Sequence, residues 1–244
     1  MDSLIYLDSS VARWYDWFNT SRGDTDFYLN LVMSADSVLD IGCGTGVILR
    51  EARAAGHTGR LCGIDPAPAM LDIARRRTDI EWTLGDAASI TWRDAFDLVI
   101  MTGHAFQELD TDTAVHTALT RMGGALRPGG RVAFETRNPQ ARAWQRWTPE
   151  HARTVTRPDG TWARMEHQVQ RWDGDCVEFT HTFTGSDWDH CQVSRSRLRF
   201  LDVRAVDHWV SASGMTVDQR YGDWDRSPLV EHSPEIITVA RKRY

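Results

Sequence analysis

The sequence predicts an α/β protein built on a doubly wound, mostly parallel sheet. From Ser37 onward, short apolar runs alternate with amphipathic stretches. The first run ends in a glycine-rich turn, and the runs 37–41, 96–101 and 131–136 are almost continuously apolar, which marks strands covered on both faces.

Residues 1–35 read as two helical pieces, with Val11, Trp14, Tyr15 and Phe18 at helical spacing and Phe27, Leu29 and Leu31 following Gly23; they form a lid preceding the core. The core spans 36–140. Its strands are expected at 37–41, 61–65, 80–84, 96–101 and 131–136, and its helices at 46–55, 68–77 and 111–122. In the last helix Ala114, Val115, Ala118, Leu119 and Met122 make one apolar stripe, and Thr111 or Asp110 can cap its start. Such sheets bind ligands beyond the carboxyl ends of their strands, where strand order reverses.

Residues 141–205 break this rhythm. Segments 162–171, 176–183 and 194–201 alternate with period two, and Asp173-Gly174-Asp175 supplies a turn, so a small antiparallel insertion is expected. Residues 206–244 follow as a helix marked by Val206, Trp209 and Val210, stopped by Gly214, and a closing hairpin of strands 215–221 and 236–240. With the five core strands this hairpin gives a seven-stranded sheet. The chain is read as a single 1–244 domain.

With 244 residues, 41% hydrophobic and 25% charged, the chain can bury one sizeable core. A net charge of −6 gives no basic field for a phosphate backbone, so nucleic acid is not expected as a partner. Cys43, Cys62, Cys176 and Cys191 form no CxxC pair, so neither a metal site nor a disulfide framework is indicated, and reduced thiols in a cytoplasm fit best. The first thirty residues do not read as an export signal and no apolar run approaches about 18 residues, so no membrane is expected.

The strongest motif is Asp40-Ile-Gly42-Cys43-Gly44-Thr-Gly46, where a buried strand turns into a helix. Its glycines allow a tight turn and close approach of a ligand to the backbone, and the helix start offers unpaired N–H groups. Asp65 ends the next strand, where a carboxylate can accept from two ribose hydroxyls, so the pairing points to a nucleoside. The dehydrogenase pattern would place its third glycine at position 47, which is Val47.

VLDIGCGTG (38–46), GIDPAPAMLDIAR (63–75), LGDA (84–87), FDLVIM (96–101) and LRPGGRVAFETRNP (126–139) resemble, in order and spacing, the motifs of class I S-adenosylmethionine-dependent methyltransferases. GDWDRSPLVEHSPEIITVAR is similar to bacterial small-molecule members of that group. The resemblance implies S-adenosylmethionine as cofactor, S-adenosylhomocysteine as product and a small-molecule acceptor. Gly42, Cys43, Gly44 and Gly46 would face the methionine part, with Asp40 near its amino group. Asp65 would hold the ribose, Pro66 and Met70 would cover the adenine, and Gly85, Asp86 and Ala87 would read its edge. Tyr15 would fold over the cofactor as part of the lid.

Thr102, Gly103, His104 and Gln107 follow the fourth strand and are expected at the mouth of the site. His104 is the first candidate to orient or deprotonate the nucleophile, and Glu135 and Arg137 are second candidates. His167 and His181 either look into an acceptor pocket or are buried sheet histidines. Most tryptophans of the insertion are expected in its core, and Arg195, Arg197 and Arg199 on a solvated strand face. The expected reaction is methyl transfer to N, O or C of a metabolite, a natural-product intermediate, with nitrogen mildly favoured. The alternatives are a non-methylating reaction such as cyclisation and a cofactor-sensing module. A homodimer stays open as the assembly.

Overall fold

The computed structural model describes residues 4–20 and 23–243. Residues 1–3, 21 and 22 of the expected lid, and residue 244 at the end of the closing segment, lie outside them. The lid is cut more finely than its periodicity suggests, into α1 (Leu4–Leu7), α2 (Ser9–Ala12), α3 (Tyr15–Phe18) and the longer α4 (Gly23–Met33). Asp8 caps α2 by accepting from the Ser10 N–H at 2.7 Å, which starts a new helix where a continuous one was expected.

The core then runs β1 (Ser37–Ile41), α5 (Val47–Ala54), β2 (Arg60–Asp65), α6 (Pro68–Ala74), β3 (Glu81–Leu84), β4 (Phe96–Met101), α7 (Asp112–Ala125) and β5 (Leu126–Arg137). The insertion carries β6 (Arg153–Thr156), β7 (Trp162–Asp173), β8 (Cys176–Gly185) and β9 (Gln192–Arg199), and the chain closes with α8 (Val203–Ala212), β10 (Met215–Tyr221) and β11 (Glu235–Lys242). Thr111 caps α7 from Ala114 N–H at 3.1 Å. Asp202 caps α8, and Gly214, with φ +76°, ends it as expected.

The large sheet has the order β10-β11-β5-β4-β1-β2-β3. β1 pairs in parallel with β2 on one side and β4 on the other, so strand order reverses beside β1. Only β11 runs against the others, pairing antiparallel with β5 on one side and β10 on the other. Every residue of β1 is buried, because helices cover both faces. On one face Leu39, Ile41, Val99 and Phe134 pack against Val115, Leu119 and Met122 of α7 and Val206 of α8. On the other, Val38, Leu98 and Ile100 meet Tyr28 and Val32 of α4 and Ile48 and Leu49 of α5. Burying one such side chain stabilises by about 1.5–3 kcal/mol. This core holds the carboxyl ends of β1 and β4 in fixed register.

The second sheet, β6-β7-β8-β9, is antiparallel throughout. Its β6 escaped the sequence reading because RTVT is short, polar and almost wholly exposed at the sheet edge. Trp144 and Trp147 pack with Val177, Phe179 and Phe200 as expected of a small core, whereas Trp162 and Trp172 are exposed. The expectation of a solvated arginine face holds for Arg195 alone. Arg199 is 14% exposed and bridges Asp112 of α7 at 2.7 Å and Asp175 at 2.6 Å, and Arg197 faces Asp110 and Glu178. These pairs dock the small sheet onto the core.

Candidate active site

The glycine turn sits at the carboxyl end of β1, beside the strand reversal. Gly42, Gly44 and Gly46 all take positive φ, +67°, +54° and +75°, a region that side chains disfavour. Gly42 N–H bonds Ile64 O at 2.8 Å, which fixes the turn against β2. A Cβ on Gly46 would lie 2.2 Å from the Trp82 ring, while a Cβ on Gly44 would meet nothing within 4 Å. Gly46 is therefore required by packing, and the space beside Gly44 is open. Cys43 points the other way, buried against Leu71 and Trp82, so only its backbone faces the turn.

Asp65, at the end of β2, is placed by its own backbone surroundings. Its Oδ2 accepts from Gly44 N–H at 2.7 Å and its Oδ1 from Ala67 N–H at 2.8 Å. Each oxygen keeps a further lone pair for a ligand hydroxyl. Burial pushes its carboxyl above the ordinary aspartate value, opposed by these two N–H groups. Gly85 N–H bonds Asp65 O at 3.0 Å, bringing Gly85, Asp86 and Ala87 to the same edge. Asp86 is exposed and spends one oxygen on capping the short turn through Ser89 N–H. Pro66 is exposed, while Met70 is buried among Ala12, Ala67, Tyr6 and Tyr15. Met70 is thus packed beneath the lid, and the Tyr15 hydroxyl lies close to Gly103, 3.7 Å from where its Cβ would be.

Contacts to the glycine turn and to the insertion hold the lid down. Asp16 accepts from Thr45 Oγ1 at 2.5 Å and from the Arg50 guanidinium at 2.8 Å, latching α3 to the glycine turn. Trp14 Nε1 donates to Asp187 at 2.8 Å and Trp188 Nε1 to Ser10 at 2.8 Å, tying the lid to the insertion. The Arg157 guanidinium lies 3.5 Å above the Trp14 ring.

The loop after β4 is organised by two acids. His104 takes a left-handed conformation, φ +61°. Its N–H donates to Glu135 Oε1 at 2.6 Å, and Tyr28 donates to Glu135 Oε2. Glu135 is fully buried. His104 Nε2 lies 3.0 Å from both oxygens of Glu235. Burial drives the His104 value down to about 3, helped by Arg137 and opposed by Glu135 and Asp24, so the ring is neutral near pH 7. Burial raises Glu235 to about 7, opposed by Arg137.

Gln107 departs from its expected place at the mouth. It is fully buried, its Nε2 donates to Arg199 O at 3.0 Å and its Oε1 accepts from Arg137 at 2.9 Å, so it ties β5 to β9. Arg137 lies 5.4 Å from the Trp147 ring centroid. His167 and His181 are cross-strand partners with ring centroids 4.7 Å apart, within the aromatic stack of the small sheet.

The electrostatics define what the site can hold. Asp40, Asp65, Glu135 and Glu235 are all buried, and no lysine or arginine is buried to that degree among the described residues. Asp40 is 1% exposed, its Oδ1 has no hydrogen-bond partner among the described residues, and burial with Asp65 and Glu135 raises its value well above normal. S-adenosylmethionine, with an ammonium, a sulfonium and one carboxylate, would bring net positive charge to these acids, and Asp65 has lone pairs free for its ribose hydroxyls. The residues present fit that cofactor.

Sequence reasoning missed Glu235, Tyr28 and Asp16. Glu235 is 131 residues from His104 and Tyr28 is 107 from Glu135, separations that leave no local pattern. Asp16 sits one position after the expected lid tyrosine, so an acid facing a glycine turn was the available signal.

A methyltransferase-domain family model matches residues 38–130. A cypemycin N-terminal methyltransferase of Streptomyces sp is 34% identical over 213 residues, covering 85% of this chain and 83% of the relative. A 2-phytyl-1,4-naphtoquinone methyltransferase of Thermosynechococcus vestitus is 34% identical over 141 residues, 54% of this chain and 56% of that relative, so this chain spans little more than half of it. Among solved structures, an S-adenosylmethionine-dependent methyltransferase from Clostridium acetobutylicum superposes with TM-score 0.76 at 13% identity, covering 95% of this chain and 97% of that one.

Proposed function

Because this chain belongs to the class I S-adenosylmethionine-dependent methyltransferases of the bacterial small-molecule type, we propose that it methylates an amine nitrogen of a small metabolite. The observation that carries the choice of nitrogen is the cluster of Glu135, Glu235 and neutral His104 beside the strand reversal. An amine arrives largely as an ammonium, which buried carboxylates attract, and it must lose a proton before it can attack. The name of the Streptomyces relative, an N-terminal methyltransferase, supports the same choice.

When bound, S-adenosylmethionine supplies a methyl group on a sulfonium and leaves as neutral S-adenosylhomocysteine. Asp65 accepts the ribose hydroxyls and Asp40 the amino group, while the backbone of Gly42, Gly44 and Gly46 lets the ligand approach closely. Tyr15 closes over the site, and water is excluded from it by the latch at Asp16. His104 takes the acceptor proton. Glu135, fully buried and bonded by Tyr28 and the His104 N–H, holds the His104 backbone in place. Alignment of the reacting groups then supplies much of the rate.

The net charge of −6 supports a small acceptor over nucleic acid, and the four unpaired cysteines support a reducing cytoplasm. No helix among the described residues is long and apolar enough to cross a membrane. The test offers labelled S-adenosylmethionine with paired acceptors, amino sugars and N-terminal peptides against their hydroxyl analogues, and reads the product by mass. Amines gain one methyl group and the hydroxyl analogues none. Methylation of the hydroxyl members alone, or tight cofactor binding with no turnover on any amine, refutes the reading.

A further inference from the structure

Glu235 reaches His104 through topology. β11 inserts antiparallel beside β5, with Glu235 opposite Arg137 in register, which sets its side chain against the loop that follows β4. The contact is braced from both ends. His104 is kept in its left-handed conformation by the Glu135 anchor, a conformation that residues other than glycine hold only where their surroundings fix it. Glu235 starts its strand with a backbone bond to Gly222 O at 3.0 Å. Both hydrogen bonds of the ring among the described residues fall on Nε2. The side chain is 18% exposed, against 10% for Glu235, so the histidine is the member of the pair that solvent and ligands can reach.

We infer that Glu235 is a positioning residue acting through His104: by accepting the Nε2–H it holds the ring in that tautomer and leaves the Nδ1 lone pair to receive the acceptor's proton. This rests on the amine-methylation reading. The acceptor ammonium gives one proton to Nδ1 and keeps the electron pair of that N–H bond, becoming a neutral amine able to form the N–C bond. The imidazolium so produced faces Glu135 and Glu235, and also Arg137 of β5 and Asp24 of α4. Burial and Arg137 both oppose a charged ring, and the directly bonded carboxylate is the group placed to offset them. The second ring nitrogen of a histidine is set by what the first one bonds.

The test compares the full-length protein with Glu235→Gln and Glu235→Asp, using heteronuclear NMR of the histidine side chains without acceptor and steady-state kinetics with an amine the wild type methylates. Gln can turn its amide N–H toward Nε2 and so favours the opposite tautomer. We expect the wild-type ring protonated on Nε2 and the Gln variant on Nδ1. The Gln variant should lose about 100-fold or more in kcat, with both KM values within about threefold and the pH dependence of kcat displaced; Asp should restore part of the rate. An Nδ1-protonated ring in the wild type overturns the inference, as does a folded Gln variant with wild-type kcat and pH profile. Should the Gln variant fail to fold, the wild-type tautomer decides. Absence of turnover on every amine would refute the proposed function instead, since the tautomer is read without turnover.

Discussion

Replacing Asp40 by Asn should move stability and affinity in opposite directions. Asp40 is 1% exposed, its Oδ1 lacks a partner among the described residues, and Asp65 and Glu135 add repulsion to its burial. Its folded value is raised, so the folded chain holds a proton that the unfolded chain releases, and stability falls as pH rises from about 4 through the folded value. Asn keeps the shape and removes that penalty. Burying a polar group without its partners costs about 1–3 kcal/mol. Asn still lacks one partner, so we expect a gain near the low end, about 1–2 kcal/mol, or about 2–8 °C in Tm for a chain of this length. The ligand ammonium loses a charge-assisted hydrogen bond of about 1.5–3 kcal/mol, which weakens S-adenosylmethionine about 10- to 150-fold. Thermal unfolding of the ligand-free protein and calorimetric titration with S-adenosylmethionine measure the two effects. A variant less stable than wild type at pH 8, or one binding within threefold of wild type, would refute the assignment of Asp40 as the ammonium's partner.

His181→Phe should make the protein less sensitive to acid. Burial, with His167, lowers the His181 value to about 3, against about 6.5 unfolded, so stability is lost as pH falls from 6.5 toward 3, by about 2 kcal/mol between pH 7 and 5; urea midpoints at the two pH values in both proteins measure it, and equal losses would contradict it. Asp16→Ala frees Thr45 and Arg50 but removes a partly exposed pair. It should cost less than about 1 kcal/mol in stability while speeding cofactor dissociation severalfold in stopped flow; unchanged dissociation would show that the latch does not hold the lid. Gly46→Ala drives a methyl into Trp82 at positive φ and should cost more than about 2 kcal/mol in Tm-derived stability. Gly44→Ala meets open space; it should cost only about 1 kcal/mol yet block cofactor binding in the same titration, and the reverse ranking would place the ligand elsewhere.

Much of the fold was readable because it is local. Five core strands announce themselves as apolar runs, and Thr111 and Gly214 mark helix ends through chemistry within a few residues. The glycine turn and the place of Asp65 beside it were readable for the same reason, since the residues that the resemblance assigns to the cofactor lie on one strand–turn–helix unit and on its neighbour. What stayed hidden is set by register between distant strands. Nothing near His104 in sequence specifies that β11 will bring Glu235 to it, and nothing near Gln107 specifies that its amide will be consumed by Arg137 and Arg199. Arg197 and Arg199 show the same limit from the other side. Alternation predicts that they share a face, but whether that face meets water or the acids of α7 depends on how the two sheets dock.

The placement of the lid joins the two halves of the site. Asp16 fastens it to the glycine turn, while Trp14 and Ser10 fasten it to the insertion through Asp187 and Trp188. These attachments belong to a segment of helices only four residues long, which have little stability of their own. The lid therefore takes its shape from what it touches on both sides. Lifting it to admit a ligand to Asp40 and Asp65 breaks contacts to the glycine turn and to the small sheet together. Each attachment alone is weak, but a short segment that cannot stay folded without them releases them as a set. If the proposed site is right, one element seals both its cofactor and its acceptor side, and a bound cofactor that favours the closed lid would also complete the wall against which the acceptor must fit.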